Sequence, residues 1–525
     1  MRLILLSFIC LLHLSAIRAQ VDLSFDIRYS LPCNFAGSGS EKNQFTELQN
    51  GNMLVYRFEA DSVFGIKHFL RIWSIDQSGT MQWDRKFSIG EGDSILLSAS
   101  LKSTGNQAYL VYAHIDQSRK SNLCMIQLDE SGNLLSSRKL FIPNDPQVRN
   151  IQSQLRNQEL VVSFDLLAAD SSRSAVFGKI PLAATANAQW FHTDQLQQST
   201  SLYLAQNNEI RWIATKDSTA VDLSLDQTGV YQALQFPANF FPQSSLVFNG
   251  STYYAGNLLD GVSNLANGVL YKHHPNNGWS KKLAATGPSY HGSTLSGLVV
   301  SNGKILVLGY GSVPHPTTFL SSFEENGTLL DTKTFDSFHS FNYNRGDLFK
   351  HSSGSLFFSK LAGIWTGTSF ASELVRLDST TFTSCNSGTY NYPYTDISIQ
   401  TGITSLSFTP VNYPFSAVTL IPLQDPLSVE IICPADLSVN EQEEMSVEAY
   451  PNPFAEQLVL HAENVNELQI HCSDFTGREL PVQQEIKSDS EILLTPPSGF
   501  SGLLICSIQT AKGLNQTLFL QKLAR

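Results

Sequence analysis

The sequence predicts an all-β protein: a propeller of about seven four-stranded blades, then a small antiparallel β-sandwich. Three observations predict it. Hydrophobic residues make up 42% of the chain and charged ones only 15%, with 33 Gly and 21 Pro, a mixture that builds β-structure and turns and argues against disorder. A pair of turns recurs through the middle of the chain. The apolar runs between those turns are too short and too β-branched for the 3.6-residue periodicity of helical repeats.

The first turn is Asn/Gly-rich and leads into a β-branched or aromatic run, as in Asn50-Gly51-Asn52 before Met53-Leu54-Val55-Tyr56. It returns at Gly105-Asn106, Asn157, Asn207-Asn208, Asn249-Gly250, Asn302-Gly303 and Gly354. Asn-Gly flanked by such runs is a strong hairpin signal. The second turn has an acidic residue, two spacers and Gly: Asp76 to Gly79, Asp129 to Gly132, Asp226 to Gly229 and Glu324 to Gly327. Its carboxylate can bond the turn backbone while Gly takes the positive φ that closes it. Weaker copies lie at Asn276-Asn277-Gly278-Trp279, near Asn187 to Trp190, and near Asp378-Ser379-Thr380. Counting either turn gives seven units between about residues 40 and 390, spaced by about 42–54 residues. Two hairpins per unit make four strands per unit, which is propeller arithmetic.

These patterns divide the 525 residues into two or three folded units, each long enough to bury a core. Residues 1–19 read as a signal peptide: Arg2, then the apolar run Leu3 to Leu14, then small residues with cleavage after Ala19. That run is too short to span a bilayer, and no later window is long enough either. The propeller covers 22–390. Residues 391–433 form an extra β segment with Pro-rich joints, for which three arrangements are open: closing the ring, pairing with residues 22–35, or a small added domain. Acidic residues 434–449 read as a linker, and 450–525 as the terminal domain.

With the signal removed, six cysteines remain, an even count that points to disulfides in an exported protein. Of the 15 pairings six cysteines allow, the preferred ones are Cys385 with Cys433 and Cys472 with Cys506. The net charge of −12 and the lack of a Lys/Arg cluster count against nucleic acid as a partner.

The terminal domain carries an ordered set of landmarks. Tyr450-Pro451-Asn452-Pro453-Phe454 precedes a strand, and an acidic turn, Asp474-Phe475-Thr476-Gly477-Arg478, follows a second. A Gly-led strand starts at Gly502, and the chain ends near Lys522-Leu523. This resembles the type A C-terminal sorting domain of the type IX (Por) secretion system of Bacteroidetes, over about 75 residues. Leu503 stands where that family usually carries Tyr. The resemblance implies a β-sandwich recognised by the outer-membrane translocon and then cleaved, with the cargo released or attached to a surface glycolipid. Asp-Ser triplets at Asp61, Asp93, Asp217 and Asp378 resemble O-glycosylation acceptors of the same bacterial group.

No catalytic residue, metal ligand or cofactor-binding residue is assigned, because no nucleophile elbow, phosphate loop, dinucleotide fingerprint or zinc helix occurs. Calcium is the one candidate ion, but each acidic turn offers only one or two carboxylates, so turn closure is the better reading. Ser136-Ser137-Arg138-Lys139 fits Ser-x-x-Lys formally within a strand, and His273-His274 before Pro275 reads as an exposed turn. Trp83, Trp190, Trp279 and Trp365 hold similar places in the repeat and read as packing between blades. The expected function is a non-catalytic secreted or cell-surface module that binds glycans, polymers or proteins. The alternative is an extracellular hydrolase or lyase with its site in the propeller channel.

Overall fold

In a computed structural model, residues 25–32, 45–60, 68–89, 95–115, 120–182, 188–205, 207–226, 230–259, 266–283, 293–311, 317–335, 348–363, 369–384, 387–389, 392–423, 428–433, 447–450, 454–462, 465–474, 478–510 and 515–522 are described. The proposed signal peptide and residues 434–446 of the expected linker lie outside them, while 447–449, also read as linker, belong to the strand Val447–Tyr450, paired with Leu458–Ala462. The chain divides into two compact units, Met1–Asp436 and Leu437–Arg525.

Among the described residues the first unit shows seven five-stranded antiparallel sheets. In each of the first six, four consecutive strands form two hairpins. The first sheet runs Phe45–Glu47, Met53–Ala60, His68–Ile75, Met81–Ser88. The next five occupy 95–140, 147–193, 198–235, 240–283 and 294–335 in the same way. The Asn/Gly turns join the first and second strands, and the acidic turns join the third and fourth. The acidic turns close as their chemistry requires. Asp129 N bonds Asn133 O at 3.0 Å and Gly132 N bonds Asp129 O at 3.1 Å. The Asp129 carboxylate accepts Ser131 N at 2.9 Å and Asn133 N at 2.8 Å, and Gly132 sits at φ 78.

The seventh sheet departs from the repeat. Leu348–Lys350, Leu356–Gly363 and Ser369–Leu377 supply three strands, and the fourth is Phe25–Pro32 from the start of the chain. The turn at Asp378 therefore does not open a fourth strand. Its carboxylate caps the turn, accepting Thr380 N at 2.9 Å, and the chain then leaves for the rim.

Each sheet also has five strands where four were expected, because residues 387–433 run backwards past them all. Ser387–Thr389 joins the sixth sheet, Tyr394–Asp396 the fifth, Gly402–Ser407 the fourth and Thr409–Val411 the third. Phe415–Ala417 joins the second, Ile421–Leu423 the first, and Ser428–Cys433 ends beside Phe25–Pro32 in the seventh. The segment is thus a belt of outermost strands, and its last strand pairs with residues 25–32.

Apolar burial follows from this stacking. Second and third strands are covered on both faces by neighbouring sheets, so Gln107–Ile115 and Thr317–Phe323 are buried almost throughout, with no period-2 alternation. One apolar cluster fills each gap between successive sheets, and another joins the seventh to the first through Phe357, Leu374, Val55 and Trp73. His351 in the seventh sheet's first turn faces Gly51 O at 2.9 Å, and Arg376 donates to Gln77 O at 2.6 Å. The sheets therefore follow one another in a closed cycle.

In the second unit a four-stranded and a three-stranded sheet share one apolar cluster. Val447–Tyr450, Leu458–Ala462, Gln483–Ser488 and Glu491–Thr495 form the first sheet. Leu468–Asp474, Gly502–Thr510 and Asn515–Lys522 form the second. Cys472 and Cys506 lie directly opposite in register and are joined by a disulfide.

Candidate functional site

First strands of successive sheets pack against one another, so the groups they carry surround the centre of the first unit. Those groups are largely hydroxyls. Ser100 meets Ser153 at 2.7 Å and Thr46 meets Ser103 at 2.6 Å, and Ser199 meets Ser163 of the adjoining second strand at 2.9 Å. Ser98 Oγ accepts the Ile151 amide and Ser199 Oγ the Trp212 indole. In five sheets the first strand also slips register by one residue, for example between Arg149 and Gln152 and between Ser199 and Ser201. Such bulges re-aim side chains and backbone donors.

Two of these bulges clamp a buried carboxyl. Asp165 accepts the Ser199 amide from the neighbouring sheet and the Asn150 side-chain amide from its own. Burial pushes its carboxyl up to about 8, with those two hydrogen bonds only partly opposing the shift. A second carboxylate, Asp222, is fully buried between the fourth and fifth sheets. Tyr203 and Tyr254 each donate to it at 2.5 Å, and Arg211 Nε lies 3.1 Å away. Burial and the adjacent Asp222 charge hold both phenols well above their ordinary value. Burial alone would lower Arg211, but Asp222 outweighs it and raises the guanidinium. The set is an ionic lock between two sheets, in which the Asp222 carboxylate is fully buried and Arg211 is half-buried.

Neither aspartate was assigned a role from the sequence, although each left a signal there. Each is a lone carboxylate inside an apolar run, Val161-Val162-Ser163-Phe164-Asp165-Leu166 and Ala220-Val221-Asp222-Leu223. Charges in such runs are seldom buried without a partner.

The other residues singled out in the sequence have structural partners. Ser136 Oγ donates to Gln127 Oε1 at 3.1 Å and Ser137 Oγ to Val418 O. His274 Nδ1 caps its turn, accepting the amides of Asn276 and Asn277 at 3.1 Å. Trp83 packs onto Gly132 and donates to Glu130 O at 2.8 Å, and Trp279 packs onto Gly327 and donates to Glu325 O at 2.9 Å. Each tryptophan thereby locks its sheet to the acidic turn of the next. Trp190 packs on Gly178 of its own sheet and also enters the apolar cluster between the second and third sheets, 6.0 Å from the Phe415 ring of the second. Trp365 lies outside the described residues. Cys124 is a buried free thiol beside Tyr112, pushed up to about 12 by burial, so the even cysteine count does not translate into complete pairing. Cys385 lies outside the described residues, and only the backbone of Cys433 is described, opposite Asp26.

In the second unit the structure gathers landmarks that the sequence scatters. Lys522 lies opposite Gly502 in the sheet register and forms a bridge with Phe454. Phe454 is buried, and Lys522 Nζ reaches Pro497 O at 3.3 Å. Asp474 lies opposite Leu504, two residues from Gly502. Its carboxylate accepts Arg478 N at 3.1 Å and faces Arg478 Nε at 3.9 Å. Gly502 adopts φ 118, a conformation that side-chain-bearing residues rarely take. Tyr450, on the four-stranded sheet, donates to Glu491 at 3.1 Å. Pro451, Asn452, Pro453, Gly477 and Leu523 lie outside the described residues. The opening Phe, the acidic turn, the Gly-led strand and the terminal Lys therefore meet at one end of the three-stranded sheet.

No family model matches the chain, and no curated protein matches it in sequence. Among solved structures it is similar to a Trypanosoma rangeli sialidase mutant displaying trans-sialidase activity, at 10% identity and TM-score 0.36. That alignment covers 63% of this chain and 59% of the sialidase, so the chain spans less than two thirds of that relative's length. It is also similar to a protein of unknown function from Dyadobacter fermentans, at 9% identity, TM-score 0.33, and 66% and 98% coverage. A bifunctional GH43-CE protein of Bacteroides eggerthii matches at 8% identity and TM-score 0.19, over 74% of this chain and 64% of that one. By class, the first unit is a propeller-like all-β assembly of five-stranded antiparallel sheets. Among the described residues no helix is long and apolar enough to cross a membrane.

Proposed function

We propose that this is an exported protein of the bacterial surface or surroundings. The seven sheets are the blades of one propeller, which serves as a non-catalytic binding module. The second unit is a β-sandwich sorting domain read by the type IX outer-membrane translocon. The observation that carries the sorting half is the meeting of Phe454, the Asp474–Arg478 turn, Gly502 and Lys522 at one end of a sheet. A receptor can read four such landmarks together only if the fold brings them together. The binding half is supported by the axial hydroxyls, which bond one another across the sheets rather than pointing reactive groups into a shared space.

Intact mass, measured on protein from culture medium and from washed cells of a type IX-competent host, tests sorting. The expected result is loss of residues 1–19 and of the chain beyond about Glu448, with a glycolipid mass added on the cell-bound form. A full-length chain lacking only the signal, found solely in the periplasm, overturns it.

One observation favours the second reading, an extracellular hydrolase or lyase. Asp165 keeps its proton near neutrality, as a general acid must. Both of its carboxyl oxygens are already engaged by protein donors, which ranks this reading second. A hydrolytic activity abolished by Asp165→Asn would reverse the order.

A further inference from the structure

We infer that a cleft between the third and fourth sheets, beside their first turns, binds an uncharged polyhydroxylated ligand: a short saccharide segment. The inference rests on the binding-module reading and gives that module a ligand class and a location. The cleft has a volume of about 460 Å³, inside the range of about 300–1,000 Å³ typical of small-molecule sites. Arg156, Asn157, Asn208, Glu209 and Asp226 line it together with Asn207 and Ser224. No large apolar side chain is among them, so a lipid or an apolar ligand finds nothing to bury against.

The charges in the cleft are balanced within the protein. Arg156 pairs with Asp226 and lies 3.6 Å from Glu159, and Glu209 lies 3.6 Å from Arg211. A cleft whose charges already have partners does not select an ion, since selection of an ion needs an uncompensated opposite charge. What it presents instead is a dense mixture of amide, carboxylate, guanidinium and hydroxyl groups. Planar donor and acceptor groups of this kind suit the adjacent hydroxyls of a sugar ring, each of which donates one hydrogen bond and accepts others.

The internal repeat adds an independent argument. Asn208 N bonds Ala205 O at 3.0 Å, the contact made by Gly51 N to Leu48 O and by Gly354 N to His351 O, each at 2.9 Å. Gly51 and Gly354 take φ 81 and 93 there, and Asn208 takes φ 62. Two equivalent turns use glycine there, and Asn, which takes the left-handed region more readily than other side-chain-bearing residues, takes it here as it does at Asn157, Asn249 and Asn302 in other first turns. In the fourth sheet the side chain is kept, and it reaches across the cleft, with Nδ2 donating to Asn157 Oδ1 at 3.3 Å. Asn208 thus closes the turn and also places an amide in the cleft, beside that of Asn157.

The test is calorimetric titration of the full chain with maltotriose, cellotriose, mannotriose and chitotriose, using trigalacturonate as a charged control. At least one neutral trisaccharide is expected to bind. Asn208→Gly and, separately, Glu209→Gln should weaken it tenfold or more, while Asn208→Gly leaves the melting temperature unchanged or higher. Absence of binding by every neutral trisaccharide overturns the inference. So does binding that both substitutions leave intact, which would place the sugar elsewhere while sparing the module reading. Chromatography of the saccharide after each titration separates the two: cleavage products would sink the non-catalytic reading, and the substitutions would still judge the cleft.

Discussion

At Asp165 a carboxyl is held between two axial strands where water does not reach it, and its proton follows from that placement. Its folded value lies near 8, against about 3.9 in an unfolded chain. Between those values the folded protein keeps a proton that the unfolded chain releases. The contribution of Asp165 to stability is therefore full below about pH 4 and declines by about 1.4 kcal/mol per unit as pH rises towards 8. Asp165→Asn should flatten that part of the curve in denaturant titrations at pH 5, 6.5 and 8, and an unchanged slope would refute the assignment. Trp83 and Gly132 make a second residue-level case. A Cβ at Gly132 would stand 2.7 Å from the Trp83 ring, on a backbone already at φ 78. Trp83→Ala should cost about 2–3 kcal/mol through lost packing and one hydrogen bond. Gly132→Ala should cost at least about 1 kcal/mol, and the double variant less than the sum, because the clash disappears with the ring. Additive losses would show that the two do not touch. Trp83 and Trp279 were legible in the sequence as packing residues because the repeat gives them equivalent places. Asp165 and Asp222 were not, because the groups that balance them come from strands far along the chain.

The belt shows how short elements, five of them only three residues long and two of six, can hold a large assembly. Most of its strands add few pairs, but the strands and the joints between them insert apolar side chains into the gaps between sheets. Tyr392 and Tyr394 enter the cluster of the fifth and sixth sheets, Ile397 and Ile399 that of the fourth and fifth. Leu406 and Phe408 enter that of the third and fourth, Tyr413 and Phe415 that of the second and third, and Leu420 that of the first and second. Leu406 is fully buried, so Leu406→Ala should cost about 2–4 kcal/mol, read as a lowered denaturation midpoint. A loss below about 0.5 kcal/mol would mean the belt lies on the sheets without anchoring them. The hairpins were readable because Asn-Gly and Asp-x-x-Gly act within five residues. The belt was not readable as a fifth strand of each sheet, because short strands paired to residues far earlier in the chain carry no local signature. Tyr392-Pro393, Thr409-Pro410 and Tyr413-Pro414 marked its joints without revealing what it was wrapped around.

For the whole molecule, the cyclic order of the first unit depends on two distant segments meeting. Phe25–Pro32 completes the last sheet, and Ser428–Cys433 pairs with its outer side. The sequence located the repeat but assigned the seventh unit a fourth strand near residue 380 that the chain instead takes from its beginning. This arrangement sets a schedule. A chain made from its N-terminus, or threaded through a pore in that direction, carries Phe25–Pro32 as an unmated edge from the outset. Residues 369–377 must emerge before that strand has its first partner, and residues up to 433 before it has its second. Until then no cycle exists, although four strands of each of the first six sheets are consecutive in the chain and can pair as they emerge. Closure of the cycle is thus a single late event, taken only once the whole length of the first unit is in place.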